Sequence, residues 1–224
     1  LLMIVVKKRL RNPTVLLGFH SPGLVGTLVV QYIGKMLKAE KIGHLEADIP
    51  PVAIISKGKV EHPVRIEHVR GENIVLLSSE IPLPKRVDKQ VGEEIIDWIK
   101  KCKGRMISIE GVLGPKKDVY KIEGGVRLKG EMKEMGEGLV LGVTGSLLLN
   151  AKEKGVPFGC IIAETQTLLP DGRASAKIIE ILNETLEIGV DVKPLLKETE
   201  AFEKKVKELM EKKPITDTIS RIYG

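Results

Sequence analysis

The sequence predicts one α/β domain: a mixed, largely parallel β-sheet forms a sandwich with helices on both faces, followed by a C-terminal helix and a flexible tail. The candidate strands are short and apolar along their whole length, which is typical of strands buried on both faces. Segments with apolar residues at helical spacing alternate with these strands. A chain of 224 residues, 42% of them hydrophobic, is long enough to form such a core.

The first predicted unit is a strand, a turn and a helix. Residues 15–18 (VLLG) form an apolar run that enters the turn at residues 19–23 (FHSPG). Beyond the turn, apolar residues recur every three or four positions, as in an amphipathic helix. These residues are Leu24, Leu28, Val29, Tyr32, Ile33, Met36 and Leu37.

A hairpin-rich region is predicted next, because turn residues separate four short strand candidates. The breaks fall at Pro50-Pro51, at Lys57-Gly58 and at Arg70-Gly71. The strand candidates are residues 43–48, 52–56, 64–69 and 73–79.

The second half alternates between helix and strand patterns. Its helical segments carry apolar residues on one side, and its strand candidates are apolar throughout. The predicted strands are residues 105–109, 139–143 and 158–163, and the predicted helices are residues 91–102, 146–154 and 174–188. We expect these helices to cover both faces of the sheet.

The last predicted helix, residues 194–213, has a narrow apolar seam with a seven-residue repeat. The seam consists of Leu195, Phe202 and Leu209, joined by Val206 and Met210. Such a helix either lies on the domain surface or pairs with a second copy of itself. Because Pro214 cannot continue the helix, we predict an α/β domain over residues 1–213 and a flexible tail over residues 214–224.

Composition limits the possible classes of protein. No stretch approaches the roughly 20 apolar residues of a membrane span, and the amino-terminal charges follow the first apolar run, unlike those of an export signal. Cys102 and Cys160 fall in apolar segments, which favours reduced thiols over a disulfide framework or a metal site. We therefore expect a cytoplasmic protein without a membrane partner.

The charge pattern favours an ordinary solvated surface over a nucleic-acid interface. The net charge is +6, but basic residues are interspersed with acidic ones. Aromatic residues make up 3% of the chain, so it lacks the stacking platforms of single-strand binders. Abundant Lys and Glu with few Gln and Asn are typical of thermophile proteins. We predict a thermophile protein without a nucleic-acid partner.

Residues 18–26 (GFHSPGLVG) give the richest local signal for ligand binding. A glycine turn between a strand and a helix exposes backbone N–H groups that can hold a phosphate or carboxylate. The spacing matches neither a dinucleotide fingerprint nor a nucleotide P-loop. The alternative function is therefore a small-molecule α/β enzyme for a nucleoside or phosphate, with polar groups converging from His20, Ser21, Thr144 and Glu164.

The other polar signals have structural explanations. Thr144 or Ser146 can cap a helix, and turn and capping chemistry explains Asp171. Three further histidines are His44, His62 and His68. None has a histidine four residues away or a cysteine nearby in the sequence, so we expect no metal site. No cofactor is expected either.

The last residues are Ile222, Tyr223 and Gly224, a hydrophobic-Tyr-any tripeptide. This ending resembles that of proteasome activators and regulatory ATPases, where it enters pockets between α subunits of the core particle and can open its gate. An aliphatic plug, an aromatic ring with a hydroxyl group and a free carboxylate suit such a pocket. The other interpretation is a frayed terminus, because terminal residues are often poorly ordered.

Several short motifs lie in order along roughly residues 12–210. They are residues 18–26 (GFHSPGLVG), Pro50-Pro51 before a strand, residues 80–82 (EIP), Gly111 after its strand, residues 141–145 (LGVTG) and Ala163-Glu164 before a helix. Together they resemble the proteasome assembly chaperone family, in particular its archaeal members related to PbaB.

The resemblance implies both a fold and a function. The family fold is an α/β sandwich similar to nucleoside phosphorylases without their catalytic residues, and its members bind proteasome subunits instead of turning over a substrate. The resemblance therefore implies a protein that is not an enzyme. It would be a proteasome assembly chaperone or an ATP-independent activator that binds the α ring of the core particle through Ile222, Tyr223 and Gly224.

Tail docking also predicts a homo-oligomer, such as a tetramer. Ordering a residue costs about 1–2 kcal/mol, so a single tail binds weakly. Several tails on one assembly gain avidity on the order of 10²–10⁴. The apolar seam of the last helix is the candidate contact between copies.

Overall fold

The computed structural model describes residues 2–56 and 58–212, which form eleven strands and five α-helices. The strands are β1 (Met3–Val6), β2 (Thr14–Gly18), β3 (Glu40–Glu46), β4 (Ile54–Ser56), β5 (Lys59–Glu61), β6 (Val64–His68), β7 (Ile74–Ser79), β8 (Arg105–Leu113), β9 (Val119–Gly124), β10 (Lys133–Glu134) and β11 (Phe158–Thr165). The helices are α1 (Val25–Met36), α2 (Asp88–Lys101), α3 (Gly142–Lys154), α4 (Gly172–Leu186) and α5 (Lys193–Lys212).

A single nine-stranded sheet runs through the domain in the order β1-β3-β6-β7-β2-β8-β11-β9-β10. Its centre is parallel, because β2 pairs in parallel with β7 and β8, and β8 with β11. On one side of this centre, antiparallel pairs join β1 with β3, β3 with β6, and β6 with β7. On the other side, β11 and β9 form an antiparallel pair. Strands β4 and β5 form a separate hairpin. The predicted mixed sheet, largely parallel at its centre, is confirmed.

Helices cover both faces of this sheet, and each face has its own apolar core. Leu16 of β2 packs into the core beneath α1 and α4, whereas its neighbours Val15 and Leu17 pack into the core beneath α2 and α3. Successive side chains of a strand point to opposite faces, so β2 contributes to both cores. All three side chains are fully buried, and each such burial is worth about 1.5–3 kcal/mol.

Local chemistry explains several helix ends. Asp171 caps α4, where its carboxylate accepts a hydrogen bond from the Ala174 N–H at 2.9 Å. Helix α2 has Asp88 in its first turn and two lysines in its last, which suits the helix dipole. Helix α3 ends at Gly155, whose φ of 67° is the left-handed conformation that glycine adopts readily.

The strand predicted at residues 139–143 is wrong. Leu139 and Leu141 are 88% and 77% exposed, and α3 begins at Gly142, whose φ of 68° breaks the apolar run. The run has no place in the sheet, because β8 and β9 already pair with both edges of β11. Helix α3 therefore starts earlier than predicted, and the expectation that Thr144 or Ser146 caps it is also wrong, since both lie inside the helix.

Helix α5 follows the predicted range, and its described side chains become more exposed beyond its first turns. Leu195 in its first turn is buried in the core beneath α4. Phe202, two turns later, is 40% exposed. Packing on the domain surface is thus confirmed for the start of the helix. The seam residues Leu209 and Met210 have side chains outside the described part.

Three expectations about special chemistry can be compared with the described residues. Cys102 and Cys160 are both free, and no group of His, Cys, Asp and Glu in that part of the chain could hold a metal ion. The rings of His44 and His62 stack at 3.6 Å. Within the described residues, no helix is long and apolar enough to cross a membrane.

Candidate functional site

The carboxyl ends of β2, β7 and β8 meet the amino-terminal ends of α2 and α3 at a small cavity, here called the polar crevice. In open α/β sheets this is the usual position of a ligand site. The crevice is lined by Phe19, His20, Pro82, Leu83, Asp88, Glu110, Leu141, Gly142, Val143 and Thr144. Its volume is about 140 Å³, below the roughly 300–1,000 Å³ of typical small-molecule sites.

The glycine turn beside the crevice allows helix α1 to pack against the central strands. A Cβ atom on Gly18 would overlap the backbone carbonyl of Gly26, and one on Gly26 would overlap the carbonyl oxygen of Ile109. The turn reverses direction at Gly23, with a φ of 67°. The glycines therefore bring α1 into contact with β2 and β8, and this close packing accounts for them without a bound phosphate.

Glu110 is the central ionisable group of the polar crevice. The Thr144 hydroxyl donates a hydrogen bond of 2.5 Å to its carboxylate. Burial raises the pKa of Glu110 to about 7, although hydrogen bonds from Thr144, Ser21 and the Gly111 N–H partly oppose that rise. Burial likewise raises the pKa of Asp88, against the nearby charge of Lys85. Two carboxyl groups with raised pKa values thus face one small cavity.

The four residues of the predicted small-molecule site do not all come together. His20 and Thr144 line the polar crevice. Ser21 is buried behind it, where its hydroxyl accepts a hydrogen bond of 3.1 Å from the Gly111 N–H. Glu164 lies outside the crevice, so its predicted convergence with the other three is wrong. Glu110 was missed, although its position directly after the predicted strand 105–109 is where α/β proteins often carry functional carboxylates.

Glu164 instead organises the loop between β8 and β9. Its carboxylate accepts hydrogen bonds from the Lys116 N–H at 2.9 Å and the Asp118 N–H at 3.4 Å. The Tyr120 hydroxyl donates a further bond at 3.3 Å. These bonds use most of the acceptor capacity of the carboxylate, which gives Glu164 a structural role.

A second and much larger cavity, here called the α5 groove, lies between α4, α5 and the loops after β8 and β11. Its volume is about 910 Å³. The groove is lined by Lys117, Val119, Ala163, Glu164, Gln166, Thr167, Leu169, Pro170, Asp171, Arg173, Ala174, Lys177, Phe202, Glu203, Val206 and Lys207. It had no counterpart in the sequence predictions.

Ion pairs and one hydrogen-bonded cap hold the walls of the α5 groove. Arg173 of α4 pairs with Glu203 at 3.2 Å and with Glu200 at 3.8 Å, both on α5. Asp171 caps α4 and also accepts a hydrogen bond of 2.7 Å from the Thr165 hydroxyl at the end of β11. The groove is therefore a space between two fixed helices, with charged groups at the rim.

The family model described as the PAC2 family matches residues 15–210 of this chain. The chain belongs to the PAC2 family. All lining residues of the polar crevice and of the α5 groove lie within the matched PAC2 region.

Relatives of this PAC2 chain include an uncharacterised protein from Methanocaldococcus jannaschii. It is 31% identical over 211 residues, which cover 92% of this chain and 88% of the relative. Pyrococcus furiosus PbaA, described as an archaeal homolog of proteasome-assembly chaperone, superimposes with a TM-score of 0.82 and 27% identity. That match covers 94% of this chain and 92% of PbaA.

Pyrococcus furiosus PbaB, described as an archaeal proteasome activator, superimposes with a TM-score of 0.78 and 18% identity. The match covers 93% of this chain and 98% of PbaB, and at this identity it shows the fold alone. The resemblance to the chaperone family is thus confirmed as PAC2 membership. The relation to PbaB in particular is not confirmed, since PbaA has the higher identity and TM-score.

The residues predicted to bind a partner, Ile222, Tyr223 and Gly224, lie outside the described residues of this PAC2 chain. So does the predicted tail over residues 214–224. Their role stays a prediction, and the described part nearest to them is the end of α5 at Lys212.

Proposed function

We propose that this PAC2 protein is a non-enzymatic proteasome assembly chaperone and ATP-independent activator that binds α subunits of the core particle through Ile222, Tyr223 and Gly224. The observation that carries the proposal is the similarity to PbaA over 94% of this chain, within a family match to residues 15–210. PbaA is described as a homolog of proteasome-assembly chaperone, and PbaB, with the same fold, as a proteasome activator.

The ending of the chain supports the activator part of the proposal. Residues 214–224 follow the last helix and can span at most about 36 Å when extended. Ile222 and Tyr223 supply an aliphatic and an aromatic side chain for a pocket between subunits. One tail binds weakly because ordering it costs free energy, so we propose that several copies act together as a homo-oligomer.

The polar crevice does not favour the alternative function, a small-molecule enzyme. At about 140 Å³ it is smaller than typical ligand sites. The Thr144 hydroxyl is bonded to Glu110, and Ser21 is buried against the Gly111 N–H. Among the described residues, no hydrogen bond joins either hydroxyl to a histidine base, as nucleophilic catalysis by serine or threonine requires.

The test is peptide hydrolysis by a closed-gate core particle, measured with a fluorogenic peptide in the absence of nucleotide. The full chain should stimulate hydrolysis. A form ending at Arg221 and the variant Tyr223→Ala should lose most of that stimulation, because the aromatic anchor is removed. Thr216→Ala, a truncation to alanine upstream in the same segment, is the control and should keep it.

The outcomes separate the two parts of the proposal. Equal stimulation by the full chain and the form ending at Arg221 contradicts the role of the last three residues. If neither form stimulates, assembly is measured next, by following the yield of core particles from separate α and β subunits with and without the protein. No change in that yield would contradict the chaperone role as well.

A further inference from the structure

The α5 groove has the properties of a site for an apolar chain segment. Its volume of about 910 Å³ exceeds that of the polar crevice several-fold. Leu169 and Phe202 on its walls are 50% and 40% exposed. Protein interiors are close-packed, and contiguous exposed apolar surface of this kind usually marks a place where something binds.

The shape of the groove suits a peptide. One face of α4 forms its floor with Arg173, Ala174 and Lys177, and α5 forms a wall with Phe202 and Val206. The groove therefore runs between two helices, and an extended or helical segment can lie along it.

Residues 213–224 are the segment best placed to enter the groove, because they continue directly from α5, which forms its wall. Val206 lies six residues before Lys212, a helical rise of about 9 Å. Twelve extended residues reach up to about 40 Å, so the segment is long enough to turn back and run along the groove. The covalent link also gives the segment a high effective concentration, on the order of millimolar.

The composition of this segment complements the groove. Its apolar residues are separated by four, three and one positions. They are Ile215, Ile219, Ile222 and Tyr223. Lys117 and Lys177 line the groove and form no ion pair with any other described residue. Asp217 of the segment has the opposite charge. Both the apolar walls and these lysines thus have suitable partners in the same twelve residues.

We propose that residues 213–224 bind in the α5 groove of their own chain. Bound there, Ile222 and Tyr223 are withheld from other partners. This regulatory consequence rests on the proposed function, because the same side chains cannot occupy the groove and a pocket of the core particle at the same time. The apparent affinity for the core particle then falls in proportion to the fraction of chains whose segment is free.

The docking itself can be tested without the proteasome. An arginine-specific protease cleaves between Arg221 and Ile222, and intact-mass measurement follows the loss of the last three residues. Phe202→Ser and Leu169→Ser remove apolar contacts from two different walls of the groove. Both should speed this cleavage at least threefold relative to the unchanged chain. The Leu169 variant keeps the test valid if Phe202→Ser frays α5.

The matched control is Leu149→Ser, the same substitution as Leu169→Ser at a leucine of α3 that is 64% exposed and lies outside the groove. Cleavage after Arg221 should proceed in this variant as in the unchanged chain. Equal cleavage rates in the unchanged chain and both groove variants would overturn the proposal.

A cross-link identifies whose segment occupies the groove. Lys177→Cys in the groove and Ile219→Cys in the segment are combined with Cys102→Ser, and a short bis-maleimide is added. Docking within one chain gives a product of monomer mass. A product mainly of dimer mass would place a neighbour's segment in the groove and overturn the proposal.

Stimulation of the core particle then separates this proposal from the proposed function. Phe202→Ser and Leu169→Ser should stimulate more than the unchanged chain at subsaturating concentration, by the same factor as the change in cleavage. Faster cleavage without stimulation by any form would retain the docking and contradict the activator role. If stimulation depends on the last three residues but the groove variants are cleaved at the unchanged rate, the activator role is retained and the docking is contradicted.

Discussion

The polar crevice and the α5 groove lie in the same domain but differ in what fills them. In the crevice, hydroxyl and backbone groups bond to Glu110 and leave about 140 Å³. In the groove, the first turns of α4, the second half of α5 and the loops after β8 and β11 leave about 910 Å³ between largely apolar walls. The usual ligand position of an α/β sheet is thus almost closed, while the open space lies beside the last helix.

This difference separates the two kinds of binding that the fold can support. A small polar molecule would have to compete with internal hydrogen bonds at the crevice. A peptide segment entering the groove would gain apolar contacts without breaking any internal bond of the crevice. The contrast therefore favours a protein that binds other chains, in agreement with the proposed function.

The largest expected effect comes from substitution of Gly18, which lets α1 pack against β2 beside the crevice. In Gly18→Val, the new side chain would overlap the backbone of Gly26, which cannot move without separating α1 from β2. We expect the free energy of unfolding to fall by about 4 kcal/mol, at the upper end for single substitutions. Denaturant-induced unfolding, followed by circular dichroism, measures this change.

Gly189→Val is the control, since a Cβ atom there meets nothing within 4 Å. Its unfolding free energy should change by less than about 1 kcal/mol. A Gly18→Val protein as stable as this control would show that α1 packs loosely against β2, and the close packing inferred for the glycine turn would be wrong.

The next test uses Glu110, whose buried carboxyl group should destabilise the folded chain at neutral pH. Its pKa is raised from 4.5 to about 7, so the folded state retains a proton that the unfolded chain releases. Below pH 4.5 the group is protonated in both states and has no effect. The penalty grows between pH 4.5 and pH 7 and is complete above pH 7, so Glu110→Gln should stabilise the chain at pH 8 by about 3 kcal/mol.

Unfolding free energies at pH 4 and pH 8 measure this effect. Glu110→Gln should match the unchanged chain at pH 4 and exceed it at pH 8. Glu72→Gln, at an exposed turn, serves as the control and should show no such dependence. A loss of stability for Glu110→Gln at pH 8 would mean that the carboxylate is a favourable part of the crevice.

The smallest expected effect concerns the ion pairs at the rim of the groove. Arg173→Ala removes the pairs with Glu200 and Glu203, which are all largely exposed. Exposed pairs contribute about 0–1 kcal/mol, so the free energy of unfolding should change by less than about 1 kcal/mol. Hydrogen exchange in the second half of α5 should nevertheless become faster.

Lys35→Ala offers a comparison, because Lys35 pairs at 3.5 Å with Glu198, nearer the buried start of α5. Exchange near residues 202–207 should change less in this variant. Equal exchange in Arg173→Ala and the unchanged chain would show that other contacts hold the groove wall.

The central elements were predictable because their signals are local. The apolar run of β2, the helical spacing in α1 and the capping aspartate of α4 each lie within one segment. Edge strands were harder. Strand β9 (VYKIEG) carries charged residues, and its place in the sheet comes from pairing with β11 about 40 residues later.

The two cavities depend on contacts between distant segments. Glu110 meets Thr144, 34 residues away, and its neighbour Gly111 bonds to Ser21, 90 residues away. No local sequence pattern predicts contacts between residues so far apart in the chain. The groove forms where the second half of α5 faces the first turns of α4 and the loops after β8 and β11. A seven-residue repeat predicts only that one side of the helix is apolar.

The alternation of Val15, Leu16 and Leu17 has a consequence for cooperativity. Leu16 belongs to one core and Val15 and Leu17 to the other, and β2 is bonded to a parallel strand on both sides. A shift of one residue would exchange the side chains of both cores at once. The two helical layers therefore share one register, and loosening either layer removes support from the other, so residues of both cores should unfold in a single transition.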